Sequence, residues 1–182
     1  NIALALENAP DIKKNIRIVW LGSNYPEKGE YNQINDIPAL NYILDQDVHF
    51  EMVMVRYGDP SGSDAVKATP DDIEMHMPGI GPKVKPVSGR HGGTFTNFGD
   101  YSVNLFSKID LHGDPPARAL FDMVAVAILK NPGWGKKVEI PAPALINEQW
   151  VERPENKRTI WVWENFEKEN ILSDFYETMK SE

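Results

Sequence analysis

Residues 16–21, Ile-Arg-Ile-Val-Trp-Leu, form a β-branched and aromatic run that stops at Gly22. A short run of this kind suits a strand buried on both faces, and such strands belong to parallel sheets covered by helices. Phe50–Val55 repeats the signal. Between the two, Asn35-Asp36-Ile37-Pro38 has the form of a helix start. Asp36 is a good N-cap, and Pro38 falls in the first turn, where its missing N–H costs nothing. Leu40, Ile43 and Leu44 supply that helix with an apolar face. Strand, helix, strand predicts an α/β fold, a three-layer, mostly parallel, Rossmann-like sheet with helices on both faces.

The remainder of the chain extends the alternation. Thr69-Pro70-Asp71-Asp72 predicts another helix start, with acidic residues where the helix dipole favours them. Helical spacing runs over Tyr101–Ile109 and again over Arg118–Leu129. Lys137–Ile140 and Thr159–Trp163 are short strand candidates. Glu167–Met179 predicts a terminal amphipathic helix with Ile171, Leu172, Phe175 and Met179 on one side. From about Gly79 to Gly99 the chain is rich in Gly and Pro and reads as a long loop. The opening ten residues lack the layout of a secretory leader and read as the end of a helix, so the chain is expected to begin in the middle of a fold. Nothing marks a second domain, and residues 1–182 are expected to form a single α/β domain.

Charge and residue inventory exclude several functions. There is no cysteine, hence no disulfide, thiolate nucleophile or Cys-ligated zinc. With 27 acidic against 19 basic residues the net charge is −8. Such a chain is poorly matched to the phosphates of nucleic acid or to an anionic membrane. No apolar run approaches the ~20 residues that span a bilayer. A phosphate-binding Gly-rich loop followed by Lys and Ser/Thr is missing, as is a G-x-S-x-G nucleophile elbow. A small-molecule ligand stays open.

Three places could bind one. The first is Gly22-Ser23-Asn24, Glu30-Tyr31-Asn32 and the Asp36 helix start, all after the C-terminal end of a buried strand, where ligands of open α/β sheets bind. Asn24, Glu30 and Asn32 offer two amides and a carboxylate, a mixture that donates to and accepts from the vicinal hydroxyls of a sugar. The same residues also read as an ordinary polar connection with turn and capping residues. The second is Asp122, opening the apolar stretch Phe121–Ala127. It reads equally as a helix-terminal cap or as an oxygen ligand for a hard cation. The third is Gly89-Arg90-His91-Gly92-Gly93, where glycines permit an unusual path near a ligand. There His91 reads first as a solvated loop residue and second as a contact to an anion or leaving group.

Taken in order, these pieces resemble the inosine–uridine-preferring nucleoside hydrolase family. That family shows a strand ending M-G-G, then G-N, E-F-N, a D-P-E-A-A helix start and, later, an H-D-P-L-A-V segment. Here Trp20-Leu21-Gly22 ends the strand, Ser23 stands for the second glycine, and Asn24 precedes Glu30 by six residues. Glu30-Tyr31-Asn32 matches E-F-N. Asp36-Ile37-Pro38-Ala39-Leu40 matches the helix start with one residue inserted, and Leu120-Phe121-Asp122-Met123-Val124-Ala125-Val126 occupies the place of the last segment. Arg90–Asn104 resembles a segment of one bacterial branch.

The resemblance implies a nucleoside N-ribohydrolase that cleaves ribonucleosides to ribose and free base with calcium-activated water, in nucleoside catabolism or salvage. It implies that Asn24, Glu30 and Asn32 grip the ribose and that Asp122 ligates calcium. Phe121 stands where many members have a histidine, so a role toward the base is expected of Phe121, with His91 kept as a second candidate substrate contact from its loop position. The family's D-x-D-x-x-x-D-D cluster, which carries the general base, is absent, so this chain is expected to be the C-terminal part of such a protein and incomplete alone. Members are often dimers or tetramers, which allows a homo-oligomer. The alternatives are a catalytically inactive sugar- or nucleoside-binding module on the same fold, or an unrelated α/β carbohydrate-active protein.

Overall fold

The computed structural model describes residues 1–181. The chain divides into two compact units, one of Asn1–Ala65 with Phe121–Phe166, the other of Val66–Leu120 with the chain from Glu167 onward.

The first unit opens with α1 (Ile2–Asn8) and a short 3-10 turn, then β1 (Arg17–Leu21), α2 (Tyr31–Asn35), α3 (Ile37–Leu44) and β2 (His49–Val53). The second unit supplies β3 (Lys67–Ala68), α4 (Pro70–His76), β4 (Lys83–Ser88), β5 (Thr94–Asn97), α5 (Phe98–Phe106) and β6 (Arg118–Ala119). The chain returns to the first unit with α6 (Phe121–Lys130), β7 (Lys136–Pro141), β8 (Ala144–Ile146), β9 (Gln149–Val151) and β10 (Thr159–Glu164). It ends in the second with α7 (Lys168–Lys180).

The sheet of the first unit has the order β1-β2-β10-β7. β2 is parallel to β1 on one side, with Trp20 opposite Met52, and parallel to β10 on the other. β7 closes the far edge antiparallel to β10. The parallel-rich α/β sheet expected from the sequence is therefore present. Period two along β2 sends Phe50 and Met52 into a core with Leu40 and Leu44 of α3, Leu145 of β8 and Ile160 and Val162 of β10. Glu51, on the alternate face, is also buried.

Local chemistry accounts for the helix starts. Asp36 Oδ1 accepts from Ala39 N at 3.0 Å, the expected cap, with Pro38 in the first turn. Thr69 and Asp72 form a reciprocal capping box on α4. In the second unit Ala68, Ile73, Met77, Phe106, Tyr176 and Met179 pack together, with Leu172 and Phe175 against them.

Two local expectations change. The Gly- and Pro-rich stretch 79–99 is not a loop throughout: β4 and β5 pair antiparallel as a hairpin whose turn is held by Gly89 N to Gly93 O at 3.1 Å. Its strands carry the β-branched and aromatic residues Val84, Val87, Thr94 and Phe95, which outweigh the flanking glycines. The helix predicted from Arg118 begins only at Phe121, because Arg118 and Ala119 pair with β3 as a short strand.

Candidate functional site

Three segments of the first unit meet beyond the C-terminal ends of β1 and β2. The first leaves β1 through Gly22 and Ser23. Gly22 N donates to Val53 O at 3.1 Å, and a Cβ on Gly22 would come within 2.4 Å of the Trp20 ring, so any larger residue there would have to displace that ring. Ser23 is fully buried at φ 82°. In that left-handed turn its N–H points back toward α2, its carbonyl accepts from Val55 N at 2.8 Å, and its Oγ accepts from Tyr25 N at 2.9 Å.

Glu30 is the N-cap of α2 and is 1% exposed. Its Oε2 accepts from Ser23 N and from Gln33 N, both at 2.8 Å. Its Oε1 accepts no hydrogen bond among the described residues. Asn24 Oδ1 accepts from Tyr57 N at 3.2 Å, and Asn24 Nδ2 donates to Lys28 O at 3.2 Å. Asn24 thereby ties the segment after β1 to the segment after β2. Asn32 Nδ2 donates to Leu21 O at 3.3 Å, and Asn32 lines a groove of about 250 Å³ with Ile18, Trp20, Asp36 and Leu40. Glu30 and Asn24 thus flank Ser23, while Asn32 meets the last carbonyl of β1.

The segment after β2 is fastened independently. The Arg56 guanidinium donates to Tyr25 O, Ser61 Oγ and Glu164 Oε2 at 3.1, 2.8 and 2.8 Å. Asp64 Oδ2 accepts from Gly58 N at 2.9 Å. The third segment is the start of α6. Phe121 meets the Tyr57 ring edge-on, with centroids 5.9 Å apart, and so joins the same neighbourhood as Asn24. Asp122 follows in the first turn and is exposed. Its carboxylate therefore needs no buried partner, which removes the desolvation argument that its apolar sequence context suggests. His91 lies in the other unit, exposed at the tip of the β4–β5 hairpin.

Calcium takes six to eight oxygen ligands. Among the described residues no three His, Asp or Glu side chains come together to hold a metal ion. Asp122 offers at most two of those oxygens, so the described residues do not by themselves complete such a site.

Two residues escape the motif reading. Gln33 is fully buried, and its Oε1 accepts from Asn24 N at 2.9 Å and from Trp150 Nε1 at 3.1 Å. The Glu30-x-x-Gln33 spacing of an N-cap and its N3 residue carries that signal. Glu51 is the other. Its buried carboxylate accepts from Arg17 Nε at 2.6 Å and Nη2 at 2.8 Å, from Lys137 Nζ at 2.9 Å, and from Trp163 Nε1 and the His49 ring. Burial pushes its pKa up, but the hydrogen bonds from Arg17, Lys137, Trp163 and His49 together outweigh that and hold it at about 2.

No family profile matches the sequence, and no curated protein does. The fold has solved counterparts. A plant nucleoside hydrolase superposes with a TM-score of 0.67 at 15% identity, over 100% of this chain and 59% of its own. An inosine–uridine-preferring nucleoside hydrolase from Bacillus anthracis superposes with a TM-score of 0.64 at 15% identity, over 98% of this chain and 56% of its own. The chain therefore has a nucleoside-hydrolase-like fold and spans a little over half the length of the two structures it matches.

Proposed function

We propose that this chain supplies the ribose-holding part of a nucleoside N-ribohydrolase, which cleaves ribonucleosides to ribose and free base. The observation that carries the reading is Glu30, a buried carboxylate at a strand end. Two backbone N–H groups hold one of its oxygens, and the other oxygen accepts no hydrogen bond among the described residues. A carboxylate immobilised in this way accepts from a sugar hydroxyl without losing side-chain freedom, which is catalysis by orientation. Asn24 and Asn32 flank it, and the Tyr57–Phe121 pair provides an aromatic surface toward a base. The likeness to two nucleoside hydrolases supports this choice among sugar ligands.

Asp122 is proposed as one oxygen donor of a calcium site whose other donors and general base belong to residues outside this chain. Its exposure leaves it accessible for that role. The second reading is a nucleoside- or sugar-binding module without turnover. It rests on Ser23 and Phe121, which stand where the family resembled has glycine and, in many members, histidine.

Ribose release from inosine and uridine, with and without a calcium chelator, separates the two. It is run on this chain and on a longer protein that carries it. Chelator-sensitive release by the longer protein alone, abolished by Asp122→Ala, is the expected result. Absence of release from both, with inosine still bound, selects the binding module. Release that Asp122→Ala leaves intact removes Asp122 from the account.

A further inference from the structure

At the opposite end of the same sheet lies a second cleft, of about 410 Å³, over the N-terminal ends of β2 and β10. Lys13, Lys14, His49 and Arg158 line it, with Asp47 as its one carboxylate and Trp161 as a wall. In a chain of net charge −8 the grouping of Lys13, Lys14 and Arg158 is out of keeping with the average surface.

Two observations point to a missing anion. The first is Arg158. One of its N–H groups, on Nη2, donates to Val48 O, while its buried Nε has no acceptor among the described residues. Burial lowers the pKa of the guanidinium, and Asp47 acts on it only through space, without an ion pair. A half-buried guanidinium with no carboxylate partner is favourably placed for a counter-anion. The second is that the neighbouring lysines are not neutralised. Lys13 Nζ donates to the neutral Gln46 Oε1 at 2.7 Å, which leaves two of its three donors, and Lys14 makes no ion pair among the described residues. Contrast Arg17 and Lys137 on the same sheet, which are both absorbed by Glu51.

We propose that this cleft binds a small phosphate dianion, either inorganic phosphate or the phosphate group of a small ester, with Arg158, Lys13 and Lys14 as its donors. Guanidinium and ammonium groups meet phosphate oxygens with short charge-assisted hydrogen bonds, and the Nη2 bond to Val48 O holds the Arg158 guanidinium in place at the cleft wall. The cleft has room for such an ion and several waters at roughly 30 Å³ each. It is separate from the Ser23–Glu30 site, which occupies the other ends of β1 and β2, and it does not depend on the reading of that site.

The test is isothermal titration of the full chain with inorganic phosphate and, separately, with a ribose 5-phosphate ester. Saturable one-to-one binding is expected. Arg158→Gln and Lys14→Gln should each weaken it by about tenfold, a cost in the range of one lost charge-assisted contact. Lys14 is exposed, so its variant tests the cleft even where Arg158→Gln disturbs the loop after β9. Tighter binding of the ester than of free phosphate identifies a phosphorylated metabolite as the source, and the reverse order identifies phosphate itself. Absence of saturable binding of either, or binding that both variants leave unchanged, overturns the proposal.

Discussion

Ser23 stands in a backbone conformation that glycine adopts freely and an L side chain does not. The family resembled here has glycine at that place, so the serine keeps the turn and adds a strained Cβ. Its Oγ offsets part of that cost by accepting from Tyr25 N. The left-handed penalty and one hydrogen bond are each worth about 1 kcal/mol. Ser23→Gly gives up both and should stay within about 0.5 kcal/mol of the parent. Ser23→Ala keeps the strain and loses the bond, so its urea midpoint should correspond to about 1 kcal/mol less stability. Glycine and alanine variants of equal stability would show that the Oγ bond and the strain are not what this geometry indicates. Glu30 is the companion case. Glu30→Ala leaves the N–H groups of Ser23 and Gln33 without an acceptor and should cost roughly 2–4 kcal/mol, whereas Glu30→Gln keeps an acceptor oxygen and should cost less than about 1. Equal losses in the two variants, read by urea unfolding, would mean that the cap is not the anchor of this loop.

Among elements, β2 shows most clearly what a sequence reveals and what it withholds. Its apolar residues announce a buried strand, and its boundaries fall within one or two residues of those read from the pattern. The helix at Asp36 was equally legible, because a cap, a proline and an apolar stripe are local signals. Glu51 was not. Its partners Arg17, Lys137 and Trp163 lie 34, 86 and 112 residues away, and only sheet register brings them together. The consequence is a pH dependence with a definite sign. The folded carboxyl sits at about 2 against an ordinary 4.5, so it stabilises the fold fully above pH 4.5 and loses that contribution as pH falls toward 2. A shift of this size corresponds to about 3 kcal/mol. Urea unfolding between pH 7 and pH 2.5 should therefore show a steep acid limb, and Glu51→Gln should flatten that limb while lowering stability at pH 7. A variant with the parent's acid limb would remove Glu51 as its source. The β4–β5 hairpin failed to appear in the sequence for a different reason. Pro86 and the bracketing glycines argue against a strand, yet a two-stranded hairpin tolerates proline at an edge.

At the scale of the whole chain, the second unit interrupts the first between Ala65 and Phe121. The chain crosses again at Phe166–Glu167, and the Gly- and Pro-rich stretches Gly58–Gly62 and Gly113–Pro116 lie several residues before the first two crossings, so composition does not place the boundaries. The candidate site was legible as a set of residue types at the right spacing. Their actual connections were less so: Glu30 is held by Ser23 and Gln33, Asn24 ties two loops, and Asp122 is solvated. In the proposed role, the Glu30 oxygen that accepts no hydrogen bond and the amides beside it hold a ribose. Titration of the ¹⁵N-labelled chain with inosine tests it most directly, by following the side-chain amides of Asn24 and Asn32 and the backbone amides of Ser23 and Gln33. The account predicts saturable shifts confined to these groups and the loop after β2, weakened by about tenfold in Glu30→Gln, the size of one hydrogen bond to a charged acceptor. Shifts absent from all four residues, or unchanged in Glu30→Gln, would contradict it.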